Sequence, residues 1–366
     1  MKLPDFRLER YMAQYEFTAR YPLCSSDCES VPLGSLLSPE SREQFEKVWL
    51  GYTEATGHPE LRAEIAKLYA GVNPADILVH SGAEEAIFNL MNVLLSSGDH
   101  AIIHWPCYQS LFQVAESIGV SIARWESRPE KSWAPSLEDL KSAVQPNTRL
   151  VVLNTPHNPT GYLMERPLFE EIVSFLDQRG IALLVDEVYR GLEYAPSDRL
   201  PAACDLSPSA LSLGVMSKAF GLAGLRIGWL ATKNQSLLQK LASFKDYTTI
   251  CNSAPSEFLA IQALKKKETL LERNRAIIEK NLGELDRFFD RFSDRLQWVR
   301  PKAGCIAFPR FKDPKECDLR LRSLVEETGV FLLPGSQFFY PGPHFRIGFG
   351  RAQFPEGLAR FSSTIG

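Results

Sequence analysis

Short apolar runs alternate with amphipathic helical patterns through the middle of the chain. Runs at residues 101–105, 149–153 and 181–185 have the length and apolar character of buried strands. Helical patterns at residues 109–118 and 168–178 separate them. Because continuously apolar strands are typical of sheets covered on both faces, this alternation predicts a largely parallel sheet with helices on each side.

The pattern changes after Ser243. A long helical stretch covers residues 256–292, and shorter strand candidates follow at residues 305–309, 330–333 and 345–349. A long helix followed by short strands differs from the regular strand–helix alternation of the preceding part. The C-terminal part is therefore predicted to form a second, smaller α+β unit.

The length of the chain also indicates two domains, since its 366 residues exceed the roughly 150 that one domain usually holds. We predict a large domain at residues 41–245. Residues 1–40 and 246–366 are predicted to form an N-terminal segment and a small C-terminal domain. The segment before Ser41 has little periodicity and is compatible with packing on either domain.

Composition narrows the classes of function. Hydrophobic residues make up 45% of the chain, charged residues 23%, and the net charge is −3, so no basic excess favours nucleic acid or an anionic membrane. No apolar run approaches the roughly 20 residues that span a bilayer, and residues 1–17 lack the apolar core of a signal peptide. The seven cysteines include no C-x-x-C pair. These features predict a cytoplasmic protein with reduced cysteines and with no membrane or nucleic-acid partner.

Polar clusters follow the apolar runs at the ends where parallel sheets bind ligands. The cluster N-T-P-H-N-P-T-G, at 154–161, follows one run, and D-E-V-Y, at 186–189, follows the next. Ser217 and Lys218 follow a further apolar run at 210–216 and lead into G-L-R-I-G-W at 224–229. We expect these clusters to meet at one edge of the sheet.

The residue types in these clusters match the parts of a pyridoxal 5′-phosphate (PLP) site. A lysine with a lowered pKa forms an imine with an aldehyde. An acidic residue can keep a heterocyclic nitrogen protonated, and the protonated ring then withdraws electrons from a carbanion. Arginine binds phosphate or carboxylate through its fixed fork of donors, and asparagine and tyrosine can hydrogen-bond a phenolic oxygen.

The sequence resembles the class I/II aminotransferases, a large group of fold-type-I PLP enzymes. The resemblance rests on S-K-x7-R-x-G beginning at Ser217, N-x-P-x-N-P-T-G at 154–161 and D-E-x-Y at 186–189, in that family's order and spacing. It covers nearly the whole chain. It implies an α/β fold in which a mainly parallel seven-stranded sheet is flanked by helices, accompanied by a smaller α+β domain.

The resemblance implies a role for each residue around the cofactor ring. Lys218 carries PLP as a Schiff base and then moves the proton between the substrate Cα and the cofactor C4′. Asp186 pairs with the pyridinium nitrogen. Asn158 and Tyr189 hydrogen-bond the cofactor O3′, and Tyr108 stacks on the ring.

The resemblance also implies how the phosphate is held. Backbone N–H groups of Gly82, Ala83 and Glu84 bind it at a helix N-terminus, and Arg226 adds a charged contact. Tyr52 resembles the tyrosine that reaches the phosphate of the neighbouring subunit, which implies a homodimer with a shared active site.

The substrate side of the site is less well defined by the resemblance. Arg346 resembles the arginine that binds the substrate α-carboxylate, and Asn158 also contacts the substrate. Ser25 to Asp27 is compatible with lining the substrate pocket or with a plain loop. Val215 stands where family members often have a hydroxyl aimed at the phosphate, so the phosphate is expected to have one side-chain partner fewer.

Transamination between an α-amino acid and a 2-oxo acid is the function that the resemblance favours. The same residues also support β- or γ-elimination, decarboxylation or cyclisation, because the bond held perpendicular to the ring decides the reaction. Tyr189-Arg190 and Pro156 to Asn158 resemble, more weakly, aminotransferase-like enzymes of specialised amino-acid metabolism, including capreomycidine-synthase-like cyclases. A non-catalytic protein built on the fold is a third hypothesis. The sequence does not identify the amino donor.

Overall fold

A seven-stranded sheet forms the centre of the molecule in a computed structural model, which describes residues 2–313 and 317–365. The strand order is β1-β7-β6-β5-β4-β2-β3. The strands are β1 (Ile77–His80), β2 (His100–Trp105), β3 (Ser121–Glu126), β4 (Thr148–Asn154), β5 (Ala182–Asp186), β6 (Ala210–Val215) and β7 (Gly228–Ala231). Only β7 pairs antiparallel with its neighbours, β1 and β6. This confirms the mainly parallel seven-stranded sheet.

Helices cover both faces of this sheet. The helices up to the end of β7 are α1 (Arg7–Tyr15), α2 (Leu33–Leu36), α3 (Pro39–Glu46), α4 (Pro59–Ala66), α5 (Ala83–Leu94), α6 (Ser110–Ile118), α7 (Leu137–Ala143), α8 (Arg166–Asp177) and α9 (Ala203–Leu206). The helices after β7 are α10 (Gln235–Lys245), α11 (Ala254–Lys265), α12 (Lys267–Arg291), α13 (Cys317–Thr328) and α14 (Phe354–Ile365).

The central strands are buried on both faces, as their apolar sequences predict. Val151 and Val185 pack with α8 in one core cluster, whereas Val152 and Leu184 point to the other face and join the cluster that includes α5 and α6. All four side chains are 0–1% exposed. Successive residues of a strand point to opposite faces, so one short run contributes to two cores.

Strand direction brings the polar clusters to one edge. The carboxyl ends of β1, β2, β4, β5 and β6 lie at that edge because these strands run in the same direction. Since β7 runs the other way, its amino end reaches the same edge, and Gly228 pairs with both His80 of β1 and Val215 of β6. The segment that precedes β7, which contains Arg226, therefore lies beside the segments that follow the other strands.

The C-terminal part contains short strands and long helices. Its strands are β8 (Leu296–Gln297), β9 (Ile306–Ala307), β10 (Arg310–Phe311), β11 (Leu333–Pro334) and β12 (Phe345–Gly348). They form a two-stranded sheet, β10-β8, and a three-stranded sheet, β11-β12-β9. The strands predicted at 305–309 and 345–349 are confirmed in shorter form. The strand predicted at 330–333 retains only its last residue, Leu333.

The long helix predicted at residues 256–292 is in fact two helices, α11 and α12. They are separated at Lys266, whose backbone (φ −109°, ψ 20°) leaves the helical range. The Lys266 ammonium donates to the Leu36 carbonyl at 2.8 Å, and α11 packs against α2, α3 and α4. This contact with a distant segment coincides with the break.

The N-terminal segment touches both parts of the molecule. The backbone N–H of Arg7 donates to Gln109 Oε1 at 2.8 Å, beside the large sheet. Tyr21 pairs with Val330 in a parallel bridge on the C-terminal side. Gly348 donates its N–H to the Leu23 carbonyl. The segment thus packs across the gap between the large sheet and the smaller ones.

All seven cysteines are free thiols in the structure. In residues 2–313 and 317–365, no cluster of His, Cys, Asp and Glu has the arrangement of a metal site. The helices of the described chain include none that is long and apolar enough to cross a membrane.

Candidate active site

A cavity of about 510 Å³ lies at the edge of the sheet where the strand ends meet. Its walls include nine of the residues that the sequence analysis predicts for the site: Ala83, Glu84, Tyr108, Asn158, Asp186, Tyr189, Lys218, Arg226 and Arg346. Gly82 lies directly against Arg226 at one end of the cavity. The structure therefore brings these predicted residues together around one space, although they are spread over more than 260 positions of the sequence.

Asn154 fixes the ends of two neighbouring strands. Its side-chain amide donates to the Asp186 carbonyl at 2.8 Å, while its Oδ1 accepts the backbone N–H of Asn158 at 2.6 Å. Since Asn154 and Asp186 are paired in register on β4 and β5, this small network ties the Asn158 loop to the strand that carries Asp186. Asn154 is a supporting residue whose side-chain role the sequence motif did not define.

Asp186 is a buried carboxyl at the end of β5. Its Oδ1 accepts the Val188 backbone N–H at 3.2 Å. Burial raises the pKa of Asp186 to about 7, while the Val188 hydrogen bond and the positive charge of Lys218 act in the opposite direction. A cationic group beside it would favour the ionised carboxylate. Asp186 is therefore suited to face a protonated ring nitrogen.

Glu187 points to the other face of the sheet. Its Oε1 accepts the Ser212 hydroxyl at 2.8 Å and the Ala203 N–H at 2.9 Å. Arg190 lies 3.7 Å from its other oxygen. The D-E pair thus divides into Asp186, which faces the cavity, and Glu187, which holds the α9 segment.

The Tyr189 hydroxyl has Ser26 as a polar neighbour but makes no hydrogen bond of normal geometry with it. The side chain is 1% exposed, and its oxygen has no hydrogen bond of normal geometry among the described residues. A buried hydroxyl without a partner costs roughly 1–3 kcal/mol. Because Tyr189 lines the cavity, a hydrogen-bonding atom of a bound molecule can satisfy it.

Lys218 follows β6 and projects into the cavity. Its ammonium donates to the Ser26 hydroxyl at 2.9 Å. The Cys28 N–H donates to the Lys218 carbonyl at 3.3 Å, which links the same two segments through the backbone. Ser26 therefore belongs to the site, which favours the pocket-lining alternative for Ser25 to Asp27 over the plain loop.

Glycines shape the end of the cavity next to Arg226. Gly82 precedes α5 with φ +90°, and a Cβ there would lie 2.6 Å from Arg226 Nη2. A Cβ at Gly228 would lie 2.6–2.7 Å from the backbone of Gly82 and Ala83. The absence of side chains lets the Arg226 guanidinium and the first N–H groups of α5 approach the same point. Free N–H groups at a helix N-terminus and a nearby cation form an anion-binding site.

Val215 lines the cavity and is 4% exposed, so no hydroxyl is offered at this position. Ser217, the neighbour of Lys218, also lines the cavity and is available to compensate. The expectation of one fewer side-chain partner for the phosphate stays a prediction.

Arg346 is 2% exposed and is held in one orientation. Its Nε and Nη2 donate to the Cys24 carbonyl at 3.1 and 2.8 Å, and its Nη1 donates to Asn158 Oδ1 at 3.2 Å. An arginine has five N–H donors, so one N–H remains on each terminal nitrogen. Two such donors match the two oxygens of a carboxylate. The same contact leaves the Asn158 amide nitrogen available to a ligand.

Tyr108 follows β2 and is anchored at its hydroxyl, which donates to Glu9 Oε1 at 2.6 Å. Its ring lies 4.9 Å from that of Phe6 at an angle of 46°. The anchored ring forms one wall of the cavity, a position compatible with stacking on a cofactor.

Tyr52 does not join these residues. Its side chain is 82% exposed and is not part of the cavity wall. Trp49 and Leu50 beside it are 78% and 79% exposed. The predicted contact of Tyr52 with phosphate therefore requires a neighbouring subunit, as the sequence analysis expects.

Sequence reasoning missed the contribution of α1. Leu8, Glu9, Met12 and Glu16 line the cavity from this helix and its C-cap. The sequence signal was present, since these positions share one helix face by their spacing of three and four residues. The mixture of charged and aromatic residues in this segment obscured it.

The cavity fits PLP. The unpartnered Tyr189 hydroxyl matches a phenolic oxygen, and the buried Asp186 matches a ring nitrogen. The space left by Gly82 and Gly228 beside Arg226 matches a phosphate. Together with the half-buried Lys218 amine, these residues would offer PLP a donor or acceptor for its phenolic oxygen, its ring nitrogen, its phosphate and its aldehyde.

The sheet topology and this cavity are those of a fold-type-I PLP-dependent enzyme. The model of the family "Aminotransferase class I and II" matches residues 23–360, and the chain belongs to this family. It is accordingly a PLP-dependent enzyme, as the resemblance implied.

Similar proteins include enzymes with different reactions. The chain is 29% identical to capreomycidine synthase of Streptomyces vinaceus, over 100% of this chain and 94% of that protein. A PLP-dependent aminotransferase from Streptococcus suis has a TM-score of 0.93 and 31% identity, covering 99% of this chain and 98% of that chain. The PLP-dependent cyclase OrfR has a TM-score of 0.92 and 25% identity, covering 100% and 98%. These likenesses establish the family but are divided over the reaction.

Proposed function

We propose that this enzyme transfers an amino group between an α-amino acid and a 2-oxo acid, with Lys218 as the residue that anchors PLP. The observation that carries the proposal is the placement of the Lys218 amine and the two free N–H groups of Arg346 on one cavity. A base and a carboxylate clamp in one space are what proton removal from an amino-acid Cα requires.

Each polar residue of the cavity has a part in this reaction. When bound, PLP supplies an electron-withdrawing ring that stabilises negative charge at the substrate Cα. Lys218 Nζ takes the proton from Cα and returns it at the cofactor C4′. The Asp186 carboxylate keeps the proton on the ring nitrogen. Arg346 holds the α-carboxylate and so orients the Cα–H bond towards Lys218.

Neighbouring residues prepare Lys218 and Arg346 for these steps. Ser26 holds the Lys218 amine at 2.9 Å, inside the cavity. The Cys24 carbonyl and Asn158 fix the guanidinium of Arg346. Since Cys24 and Ser26 both belong to the N-terminal segment, this segment positions the base and the carboxylate clamp together. It also forms part of the cavity wall through α1.

Cyclisation of an amino acid is the second candidate. It is favoured by the likeness to capreomycidine synthase over the full chain and by the likeness to the PLP-dependent cyclase OrfR. The residues around Lys218 are compatible with both reactions, because each begins with removal of the Cα proton.

A spectroscopic half-reaction distinguishes the two candidates. The holoenzyme is mixed with single amino acids in the absence of any 2-oxo acid, and the visible band of the bound cofactor is followed. Transamination predicts stoichiometric loss of the band with one equivalent of 2-oxo acid released, and recovery when a 2-oxo acid is added. A band that persists while a cyclic product, ammonia or CO₂ accumulates would replace transamination with cyclisation, elimination or decarboxylation.

A further inference from the structure

The cavity contains more negative charge than the proposed reaction uses. Three cations line it, and each has a proposed role: Lys218 as anchor and base, Arg226 at the phosphate and Arg346 at the α-carboxylate. Of the carboxylates, Asp186 has the ring nitrogen. Four further carboxylates line the same space, namely Glu9, Glu16, Asp27 and Glu84. Their number suggests that the cavity receives a positive group from its ligand.

The four carboxylates differ in how well the protein satisfies them. Asp27 has an arginine partner, since both its oxygens lie 3.0 Å from Arg351 Nη2. Glu9 and Glu84 accept only neutral donors, the Tyr108 hydroxyl at 2.6 Å and the Ser110 hydroxyl at 3.1 Å. Glu16 differs from all three.

The Glu16 side chain has no hydrogen-bond donor or salt-bridge partner among the described residues. Burial raises its pKa first, and the negative charge of Glu9 raises it further. Asp27 acts in the same direction, whereas Arg351 and Lys218 oppose it. A cation placed between Glu9 and Glu16 would relieve this repulsion and stabilise both carboxylates in their ionised form.

Apolar side chains line the cavity beside these carboxylates. Phe6, Leu8, Met12 and Ile87 all face it. On α1, Met12 lies between Glu9 and Glu16 on the same helix face. An apolar wall next to carboxylates suits a side chain with an aliphatic stem and a charged end, as in lysine and arginine.

The Tyr189 hydroxyl, matched above to the cofactor, indicates that a ligand completes this cavity. It is buried, makes no hydrogen bond of normal geometry and opens onto the space that the carboxylates line. The carboxylates therefore line a ligand site next to Lys218 rather than an ordinary acidic surface.

We propose that the amino-acid substrate carries a cationic side chain, an ammonium or a guanidinium, which Glu16 binds together with Glu9. This inference rests on the proposed function, because it assumes that the α-amino group reacts at Lys218 and that Arg346 holds the α-carboxylate. From these fixed points, α1 is the part of the cavity wall that remains for the substrate side chain.

The test compares amino acids of the same shape and different charge. The holoenzyme is titrated with arginine and with citrulline, its neutral counterpart, and then with lysine and norleucine, while the cofactor's visible band reports binding. Loss of a charged hydrogen bond in a partly buried site lowers affinity by about tenfold. We expect arginine and lysine to half-saturate the enzyme at concentrations at least about tenfold below those of their neutral counterparts.

Substitutions at the carboxylates locate the effect. Glu16→Gln and, separately, Glu9→Gln are expected to weaken the binding of arginine by about tenfold and to leave citrulline nearly unchanged. Glu279→Gln, at an exposed position of α12, is the matched control and is expected to keep the preference of the wild type. Circular dichroism and the cofactor band confirm that each variant is folded and loaded.

The outcomes separate this inference from the proposed function. If neutral or acidic amino acids bind as well as the basic ones, or if both glutamine variants keep the full preference for arginine, the cationic-substrate inference is wrong and the proposed function stands. If no amino acid perturbs the band of a loaded enzyme, the proposed function fails and the inference fails with it.

Discussion

Several residues of the cavity are shielded from water and also face the space that a ligand would fill. Asp186 and Tyr189 are each nine-tenths or more buried, and Glu16 lacks a hydrogen-bond or salt-bridge partner among the described residues. Such groups destabilise the protein alone and become favourable when a ligand supplies the missing charge or hydrogen bond. The free energy of unfolding that these groups take from the apoprotein can therefore be measured separately from their contribution to ligand binding in the holoenzyme.

Replacing Asp186 by Asn should stabilise the apoprotein at neutral pH. The folded-state pKa of about 7 lies above the unfolded value near 4. Below pH ~4 both states bind the proton and the residue has no effect. As the pH rises to about 7 the unfolded state alone releases it, so Asp186 increasingly favours unfolding, by about 2–4 kcal/mol at most.

Urea unfolding of both apoproteins at pH 4.5 and pH 8 checks this prediction for Asp186→Asn. The variant should gain free energy of unfolding relative to the wild type at both pH values, by several kcal/mol at the higher pH and by only about 1 kcal/mol at the lower one. A variant less stable than the wild type at pH 8 would show that the buried carboxylate is stabilised by its surroundings.

Replacing Tyr189 by Phe should separate stability from cofactor binding. The hydroxyl makes no hydrogen bond of normal geometry, so its loss should leave the apoprotein as stable or up to about 1 kcal/mol more stable, while PLP affinity falls by about tenfold. Tyr194→Phe is the matched control, because the Tyr194 hydroxyl donates to the Gly304 carbonyl at 3.0 Å. It should cost about 1 kcal/mol of stability and little cofactor affinity. Thermal unfolding and PLP titration measure both quantities.

Elements of secondary structure position these residues, and the N-terminus of α5 offers the sharpest test. A Cβ at position 82 or 228 would enter the space where Arg226 and the first N–H groups of α5 converge. Gly82→Ala and Gly228→Ala should therefore raise the PLP dissociation constant by about tenfold or more.

Gly224→Ala is the control within the same loop, since a Cβ there would have no atom within 4 Å. Fluorescence titration of the apoproteins with PLP gives the three dissociation constants. Equal constants for Gly224→Ala and Gly82→Ala would show that close approach at the helix N-terminus does not determine phosphate affinity.

The sequence predicted some elements better than others for identifiable physical reasons. Strands β4 and β5 were predictable because burial on both faces requires continuous apolar runs. The positions of Asp186, the last residue of β5, and of Asn158, four residues after β4, could then be predicted from the ends of these runs. The break at Lys266 was not, because Lys265 to Lys267 are good helix formers and the contact with the Leu36 carbonyl is distant in sequence.

Helix α1 shows the same limit at the active site. Its cavity-facing glutamates lie more than 60 positions before the next cavity residue outside the N-terminal segment. Local pattern shows that Glu9 and Glu16 share a face, but only the fold shows that this face covers Lys218. The residues of the S-K, D-E-x-Y and N-x-P-x-N motifs were found because chemistry and spacing coincide in them.

The whole molecule leaves an exposed apolar segment around Trp49, Leu50 and Tyr52. We propose that it faces a second copy of the chain, whose phosphate site Tyr52 completes. Each site would then take Lys218 from one subunit and Tyr52 from the other, so Lys218→Ala and Tyr52→Phe would damage a site from opposite subunits. After mixing and exchange of subunits, half of the dimers hold both chains, and each of these has one intact site.

Sedimentation and activity of the mixture check the shared site. The account predicts a dimer and recovery to about a quarter of wild-type activity when the two weakened variants are mixed in equal amounts. A monomer, or a mixture no more active than the average of its components, would place all groups of the site in one chain.

The central claim is that Lys218 carries the cofactor, and chemical trapping tests it most directly. The holoenzyme is reduced with borohydride, digested, and its peptides are examined by mass spectrometry. Lys245 is a built-in comparison, because it is 0% exposed but donates to the Ala55 and Ile250 carbonyls, away from the cavity. The account predicts one reduced PLP adduct, on Lys218, absent from Lys218→Ala. An adduct on Lys245 or another lysine, or no adduct on a PLP-loaded protein, would contradict it.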